Sequence, residues 1–330
     1  MREYQYPVGI VGGGAWGTAL AAVMQQIHGD ALIWAREADV VAGINTDRRN
    51  PVFLPDVPLA DGIRATADLE DMANCHALLL VTPAQHLRST LAALPKHNKP
   101  LILCCKGIEA DTQMLMCDVA AEMRPANPLA VLSGPTFAHE VAAGKPTAVT
   151  LACADAELAQ RLARLIAAPH FRPYISNDIV GAEIGGAVKN VLAIGCGVVD
   201  GAGLGLNARA ALIARGFAEM QRYGLARGAQ AETLAGLSGL GDLVLTCSSE
   251  NSRNFSLGHG LGQGQSAADL LADRRTVAEG AHTAPVLLQS AHSLNVDMPI
   301  VAAVCALLDG RATAATVVEA LLARPLKAER

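Results

Sequence analysis

Short apolar runs alternate with helix-like stretches through the first half of the chain. Uninterrupted runs of this kind are typical of parallel strands that are buried on both faces of a sheet. Because helical segments such as 15–28 separate the runs, the pattern predicts a doubly wound α/β domain. The segment 45–61 contains Pro51, Pro55 and Pro58 and is predicted to be a loop. The predicted strands are 8–11, 31–34, 77–81, 101–105, 131–132 and 148–152.

The pattern changes near Asn177 and Asp178, residue types that favour the position just before a helix. Beyond this point strand signals nearly vanish, and apolar residues recur at helical spacing. We therefore expect a second, all-helical unit, with the boundary at 178–190 inside a helix that both units share. The predicted helices are 179–199, 207–223, 228–236, 266–273, 283–292, 299–308 and 314–323.

Length, charge and composition narrow the classes of function. A chain of 330 residues is too long for one ordinary core and predicts two domains. The net charge of −5 and the aromatic content of 3% argue against a nucleic-acid partner. A small anionic ligand stays compatible with this charge, because a few local Lys or Arg side chains suffice to bind it.

Cysteine usage and hydropathy bear on the location of the protein. Eight cysteines form no CxxC pair and nine histidines are scattered, so we predict reduced thiols and no metal site. No run of 18 apolar residues is present, so no membrane segment is predicted. The apolar stretch 8–24 loosely resembles a secretory signal, but Gly12, Gly13, Gly14 and Gly17 interrupt it. The sequence therefore predicts a cytoplasmic protein.

Residues 12–17 read Gly-Gly-Gly-Ala-Trp-Gly and match the pattern GxGxxG. The pattern is weak alone, but here it follows a predicted strand and opens a predicted helix, as dinucleotide binding requires. Gly12 would form the tight turn, Gly14 would let the backbone approach a pyrophosphate, and Gly17 would let helix and strand pack closely. The start of the helix would offer free N–H groups to phosphate.

The end of the second predicted strand bears on the choice of dinucleotide. Arg36 follows Gly17 by nineteen residues, and Glu37 is next. A guanidinium at this position can pair with a 2′-phosphate or stack on adenine, which favours NADP over NAD. Two alternatives stay open, because Arg36 could be an ordinary surface residue and Glu37 could bond the ribose 2′-hydroxyl of NAD.

The most informative segment of the second half surrounds Lys189. Glu183, Gly186, Lys189 and Asn190 share one face of a predicted helix through i,i+3 and i,i+4 steps. Glycines inside a helix lower its stability, which indicates close approach of another group. The apolar flanks of Lys189 would lower its pKa, so that it could act as acid or base at a carbonyl or alcohol. From this segment alone, a lysine that only extends to solvent is an equal alternative.

Residues 237–254 contain a candidate anion site. Asp242 could orient Lys189 or bond a substrate hydroxyl, and Ser252, Arg253 and Asn254 together form a plausible phosphate clamp. A plain solvated loop explains these residues equally well. The glycines of the tract 258–264 are predicted to be mobile, with or without a role as a lid.

These segments together resemble the bacterial type of NAD(P)-dependent glycerol-3-phosphate dehydrogenase over essentially the full length. The resemblance implies reversible reduction of dihydroxyacetone phosphate to sn-glycerol 3-phosphate, the backbone of phospholipids. It also implies an N-terminal Rossmann-type doubly wound sheet (1–185) followed by an all-helical substrate domain of the 6-phosphogluconate dehydrogenase C-terminal type (186–330). The matching strings are GGGAWGTALA (12–21), KG (106–107), SGPTFAHEV (133–141), the segment 185–216 that contains Lys189-Asn190, LSGLGDLVLTC (237–247), NSRNFSLG (251–258) and VAEG (277–280).

The resemblance also implies roles for individual residues. Lys189 is the general acid/base, and Asp242 is the second catalytic residue. Ala15 stands where the family commonly has Ser, which removes one hydroxyl near the cofactor. The implied substrate-binding residues are Lys106, Gly134, Thr136, Lys189, Asp242, Ser252, Arg253 and Asn254. The implied cofactor-binding residues are Gly12, Gly14, Ala15, Trp16, Gly17, Arg36, Lys106, Ala138, Arg253, Val277 and Glu279.

Two other functions are kept as alternatives. A hydroxyacid or ketopantoate-type reductase could share the glycine loop and a lysine, but it would not need the clamp at 252–254. A non-catalytic NAD(P)-sensing module could keep residues 12–17, but it has no reason to keep Lys189 together with Asp242. The expected partner is a phosphorylated small molecule, and a homodimer is the working expectation for the oligomeric state.

Overall fold

The computed structural model describes residues 5–272 and 278–323. Its first half contains eight strands in one sheet, and all six predicted strands are among them. Several strands begin one or two residues before the predicted runs, whereas β5 ends two residues earlier than predicted. The strands are β1 (Tyr6–Val11), β2 (Ala31–Trp34), β3 (Ile63–Thr66), β4 (Cys75–Leu80), β5 (Leu101–Leu103), β6 (Leu129–Ser133), β7 (Thr147–Ala152) and β8 (Phe171–Ser176).

The sheet has the order β3-β2-β1-β4-β5-β6-β7-β8. Six neighbouring pairs are parallel, whereas β6 and β7 run antiparallel with Leu132 opposite Leu151. The expectation of a parallel sheet therefore fails at one pair. The segment 134–146 between these strands contains only the five-residue helix Ala138–Ala142, and a short connection of this kind returns the chain antiparallel.

Sequence patterns missed the two outermost strands of the sheet. Strand β3 alternates buried and exposed residues instead of forming an apolar run, because only one of its faces is covered. Strand β8 is largely exposed and contains Pro173, which cannot donate to a ladder and is tolerated at an edge. Both are edge strands, so the signal of burial on two faces is absent from them.

Helices follow the strands and then form the second half of the chain. The helices of the first half are α1 (Ala15–His28), α2 (Ala38–Ala42), α3 (Leu87–Ala93), α4 (Met116–Met123), α5 (Ala138–Ala142) and α6 (Ala156–Ile166). The helices of the second half are α7 (Ile179–Gly201), α8 (Gly205–Ala226), α9 (Ala231–Ala235), α10 (Asp242–Cys247), α11 (Arg253–Gly262), α12 (Ala267–Leu270), α13 (Glu279–Ser293), α14 (Pro299–Leu308) and α15 (Ala314–Leu322). Short π-helical turns occur at Gly43–Asp47 and Leu237–Gly241, and 3-10 turns at Leu69–Asn74 and Ala84–His86.

Both faces of the sheet are covered, as the uninterrupted apolar runs predicted. In β4, Leu79 packs in the core beneath α1 and α6, whereas Leu78 and Leu80 pack on the opposite face with α3 and α4. Successive strand residues thus enter different cores. A third core lies among the helices of the second half, around α7.

Helix α7 is the centre of the molecule. It packs against strands β6 and β7 as well as against α8, α10, α11, α13 and α14. The Asp178 carboxylate caps it by accepting from Gly181 N at 2.8 Å, and also accepts from Gln230 N at 2.8 Å. Glu183 accepts from Cys117 N at 2.8 Å, which joins α7 to the start of α4. The proposed boundary at 185/186 lies inside this uninterrupted helix.

Within the described residues, α7 is the one helix long and apolar enough to cross a membrane, and 89% of the relevant window is buried inside the protein. Burial of this extent is typical of the core helix of a folded domain. All eight cysteines are free thiols, and seven of them are buried. They therefore behave as small core residues.

Most of the glycine tract 258–264, which was expected to be mobile, lies in a packed helix. Residues up to Gly262 belong to α11, which packs directly on α7. A Cβ on Gly258 would lie 1.9 Å from Ile194 O, and one on Gly197 would lie 2.0 Å from Phe255 O. Gly197 and Gly258 therefore allow the backbones of the two helices to pack closely. Local sequence alone does not distinguish this role from mobility.

Candidate active site

The glycine loop joins β1 to α1, and each of its glycines meets a different constraint. Gly12 has φ +129°, and a Cβ there would lie 2.9 Å from the Val81 carbonyl group. A Cβ on Gly17 would lie 1.9 Å from Gly12 O, so this glycine allows helix and strand to pack closely. No described atom lies within 4 Å of the corresponding position at Gly14. The open side of Gly14 fits the approach of a pyrophosphate, which fits the roles predicted for all three.

Helix α1 begins at Ala15, and Gly14 caps it without any side-chain hydrogen bond. The first N–H groups of the helix are therefore available to an anion. Trp16 is half-buried, with its ring centre 6.5 Å from that of Phe171. Ala138, the first residue of α5, packs at the edge of the same core.

The end of β2 lies beside the glycine loop, since a Cβ on Gly13 would lie 2.4 Å from Ala35 Cβ. The next residue, Arg36, has a side chain that is 76% exposed and pairs with Glu37 at 3.1 Å. Both residues that bear on the choice of dinucleotide are thus at the place where a Rossmann fold recognises the ribose. An exposed pair of this kind contributes little to stability.

Asp242 is buried between two lysines. Its Oδ2 lies 2.5 Å from Lys106 Nζ, and its Oδ1 lies 2.9 Å from Lys189 Nζ. The three residues come from the end of β5, from α7 and from the start of α10. Lys106 also donates to Gly134 O at 3.2 Å, and Lys189 donates to Thr246 Oγ1 at 2.8 Å. The structure therefore brings together four of the predicted site residues.

Electrostatics set the protonation of this cluster. Burial is the main cause that lowers the pKa of Lys189 to about 8; the carboxylate of Asp242 acts against it, and the ammonium of Lys106 acts with it. Burial alone would raise the pKa of Asp242, but the two ammonium groups hold it below its usual value. Burial raises the pKa of Glu279, against the attraction of Arg253, Lys106 and Lys189. Lys189 can thus gain or lose a proton close to neutral pH. A lysine that only extends to solvent would not need a lowered pKa.

Ser252, Arg253 and Asn254 lie at the start of α11, but they face different partners. Ser252 caps the helix by accepting from Phe255 N at 3.3 Å. Asn254 donates to Asn190 Oδ1 at 3.0 Å and accepts from Gly280 N at 2.9 Å. Both side chains are buried, whereas Arg253 is exposed. Arg253 is thus the member of the three whose side chain is exposed to an anionic ligand.

A small crevice lies between Trp16, in the first turn of α1, and Lys106 of the lysine cluster. It is lined by Trp16, Lys106, Gly134, Thr136 and the buried Ser133, among others. Thr136 belongs to the loop after β6, and its Oγ1 donates to Gly134 O in the same loop at 3.4 Å. Predicted cofactor and substrate residues therefore share one surface.

Sequence reasoning missed Thr246, whose hydroxyl donates to Asp242 Oδ1 at 3.2 Å. The spacing of four residues from Asp242 along α10 was the available signal, since residues one helical turn apart are neighbours.

Arg209 forms an ion pair with Asp200 at 3.2 Å near the C-terminal end of α7, which is a structural contact. Val277 lies outside the described residues. Within those residues, no group of three or more His, Cys, Asp or Glu side chains could hold a metal ion.

Two family models match almost the whole chain. Residues 7–159 match the NAD-dependent glycerol-3-phosphate dehydrogenase N-terminus, and residues 178–319 match the C-terminus of the same enzymes. The chain belongs to this family. Its fold is thus the predicted Rossmann-type sheet followed by a helical domain, and the predicted enzyme class and its use of NAD or NADP are confirmed.

Individual relatives agree with the family models. The chain is 60% identical to glycerol-3-phosphate dehydrogenase (NAD(P)+) 1 of Sphingopyxis alaskensis, over 97% of each chain. It is 63% identical to glycerol-3-phosphate dehydrogenase (NAD(P)+) of Erythrobacter litoralis, over 98% of this chain and 97% of that one. A crystal structure of glycerol-3-phosphate dehydrogenase from Coxiella burnetii has a TM-score of 0.92 and 34% identity, over 97% of this chain and 100% of that chain. These matches favour this family over the hydroxyacid and ketopantoate reductases.

Proposed function

We propose that this enzyme interconverts dihydroxyacetone phosphate and sn-glycerol 3-phosphate with NAD(P)H, and so supplies the backbone of glycerophospholipids. The observation that carries the proposal is Asp242 between Lys106 and Lys189, with Lys106 lining the same crevice as Trp16 of the glycine loop. The reaction needs a proton donor at a carbonyl, a cationic environment for a phosphate ester, and a dinucleotide cradle. The described residues supply all three.

The proposed roles follow from the contacts. NAD(P)H, when bound at residues 12–17, supplies the hydride that carbonyl reduction requires. Lys189, as the ammonium, donates its proton to the alkoxide oxygen that forms from the carbonyl, and its neutral amine takes the proton back in the reverse direction. Asp242 orients the Lys189 ammonium and keeps it charged, and the Thr246 hydroxyl accepts a hydrogen bond from the same ammonium.

The remaining predicted residues divide between binding and support. We assign the substrate phosphate to Lys106, Arg253 and the N-terminus of α11, whose binding energy would orient the carbonyl. Ser252 then acts through the helix start that it caps, and Asn254 acts by joining that start to α7 and α13. Ala138 packs at the edge of the same core as Trp16, and Glu279 is attracted by Arg253 and by both lysines. Gly134 and Thr136 line the crevice together with Lys106.

A cytoplasmic location, a division into domains at 1–185 and 186–330, and a homodimer complete the proposal. The buried free thiols support a reducing compartment. The packing of α7 against both the sheet and the helices supports a shared boundary helix. Leu204, just before α8, and Leu206, in its first turn, are exposed, and apolar surface of this kind supports association of two copies.

The test of the reaction compares two substrates. Purified enzyme should oxidise NADPH or NADH, followed at 340 nm, with dihydroxyacetone phosphate but far more slowly with unphosphorylated dihydroxyacetone. The expected ratio of kcat/KM is at least about 10³, because the buried and exposed cations are arranged for a phosphate. Equal rates would contradict the anion site, and no turnover with either substrate would contradict the reaction.

Cofactor preference should depend on the pair that follows β2. Arg36→Ala should lower the NADPH/NADH ratio of kcat/KM about tenfold, since a guanidinium pairs with the 2′-phosphate. Glu37→Gln should raise that ratio, because it removes a negative charge 3.1 Å from the guanidinium. Glu140→Gln, which breaks a similar exposed pair with Lys145, is the matched control. An unchanged ratio in Arg36→Ala would refute this assignment.

A further inference from the structure

Asn50 is fully buried in the loop that precedes β3, and no catalytic or binding role above includes it. Its amide Nδ2 donates to Gly13 O and to Thr18 Oγ1, each at 2.8 Å. Its Oδ1 accepts from Val52 N at 3.2 Å and from Phe53 N at 3.0 Å. One side chain thus joins the glycine loop, the first turns of α1 and its own loop.

The two donated bonds fix the direction of two peptide groups. A trans peptide holds its C=O and the following N–H on opposite sides, and the described chain has no cis peptide. Because the Gly13 carbonyl points inward to Asn50, the Gly14 N–H points the other way. Gly14 O accepts from the backbone N–H of Thr18 and also from the Thr18 hydroxyl, each at 2.9 Å, and that hydroxyl accepts from Asn50. The Ala15 N–H, on the opposite side of the same peptide, is therefore also turned away.

At Gly14 the loop is open, since a Cβ there would meet no described atom within 4 Å. On the other sides the loop is already confined, since Gly12 abuts Val81 and Gly13 abuts Ala35. Ala15 has no hydroxyl to offer a phosphate, so the cradle depends on backbone donors. The orientation of those donors therefore decides how well an anion is held.

We propose that Asn50 is a positioning residue that holds the Gly14 and Ala15 N–H groups toward the cofactor pyrophosphate. The inference rests on the proposed role of residues 12–17 in cofactor binding. Both NADPH and NADH carry the pyrophosphate, so Asn50 acts on the affinity of both and not on the choice between them. This separates its role from that of Arg36.

The alternative is that Asn50 only shapes its own turn through Val52 and Phe53. Asn50→Asp separates the two, because a carboxylate still accepts from those N–H groups but cannot donate to Gly13 O or Thr18 Oγ1. Asn45→Ala is the matched control. Asn45 lies nearby and also bonds backbone on both sides, but its partner is Ala65 on β3 and not the glycine loop.

The experiment measures the Kd of NADPH and of NADH by fluorescence with the purified full-length chain, together with the thermal unfolding midpoint. Asn50→Ala and Asn50→Asp should each raise both Kd values about tenfold or more, the loss expected from misaligned donors. The NADPH/NADH ratio and the KM of dihydroxyacetone phosphate at saturating NADPH should stay at their wild-type values. Asn45→Ala should leave both Kd values unchanged.

Three results would overturn the proposal: wild-type Kd values in Asn50→Asp, an equal loss in Asn45→Ala, or a changed NADPH/NADH ratio. If Asn50→Ala does not fold, Thr18→Val tests the same hydrogen-bonded chain with an isosteric side chain and should also weaken both cofactors. Gly14→Val separates the two levels of inference. If Gly14→Val binds NADPH like the wild type, the assignment of residues 12–17 to the cofactor fails. Any effect of the Asn50 variants would then need a different explanation.

Discussion

Replacing Lys189 with methionine is expected to lower kcat for dihydroxyacetone phosphate by about 10²- to 10⁴-fold, the usual contribution of a general acid. The Kd of NADPH should stay near the wild-type value, because Lys189 lies in the lysine cluster and not in the glycine loop. Methionine fills most of the buried volume without a charge or a donor. A stopped assay at several enzyme concentrations, with cofactor binding measured by fluorescence, separates the two effects.

The pH dependence gives the assignment an independent check. Reduction needs the ammonium form of Lys189, whose pKa burial lowers to about 8. The wild-type rate of reduction should therefore fall as the pH rises through about 8, while the rate of glycerol 3-phosphate oxidation should rise over the same range. Lys145→Met removes an exposed lysine that pairs with Glu140 and should leave rate and profile unchanged. Near-wild-type turnover in Lys189→Met would eliminate this lysine as the acid.

Asp242→Asn is expected to have an effect of similar size for a different reason. The substitution removes the negative charge that lies between Lys106 and Lys189 and leaves two ammonium groups facing each other. The attraction of Asp242 raises the pKa of Lys189, so its removal lowers that pKa further. Less ammonium is then present at neutral pH, and we expect kcat/KM to fall by about 10²-fold or more.

The direction of the pH shift distinguishes this role from simple loss of structure. In Asp242→Asn the decline in the rate of reduction should move to lower pH than in the wild type, measured as kcat across the pH range on protein checked for folding by circular dichroism. Asp309→Asn, which removes an exposed carboxylate paired with Arg311, should leave the profile in place. A profile that keeps its wild-type position in Asp242→Asn would rule out electrostatic control of Lys189.

Lys189 and Asp242 were identifiable in the sequence for different reasons. Lys189 lies in an apolar helical segment, and the helical spacing of its neighbours is a local property. Its link to Asp242 was one of two alternatives that the residues left open, and no local spacing could decide it, because the two residues are 53 positions apart in the sequence. Lys106, which contacts the same carboxylate, is more distant still along the chain.

The segment 252–264 shows what local sequence leaves open. Three polar residues together suggested one clamp, and four glycines suggested mobility. In the structure the buried Ser252 and Asn254 also bond backbone and Asn190, and Gly258 and Gly262 allow α11 to contact α7. The local sequence around a polar side chain or a glycine is the same whether it binds a ligand, moves freely or packs in the fold. The segment that contacts it decides which of these roles it has.

The sequence by itself determined the periodicity of the strands, the phosphate loop in its strand-to-helix context, and the start of the long helix at Asp178. These features depend on neighbours within a few residues, where backbone geometry and side-chain spacing are fixed by local chemistry. Only the tertiary structure decided the antiparallel pairing of β6 with β7 and the two edge strands. It also decided the ion pairs of Asp242 with two lysines and the hydrogen bond from Asn50 to Gly13 O. Each of these depends on which distant segments the fold packs together, because burial and hydrogen-bond partners are set by the whole chain.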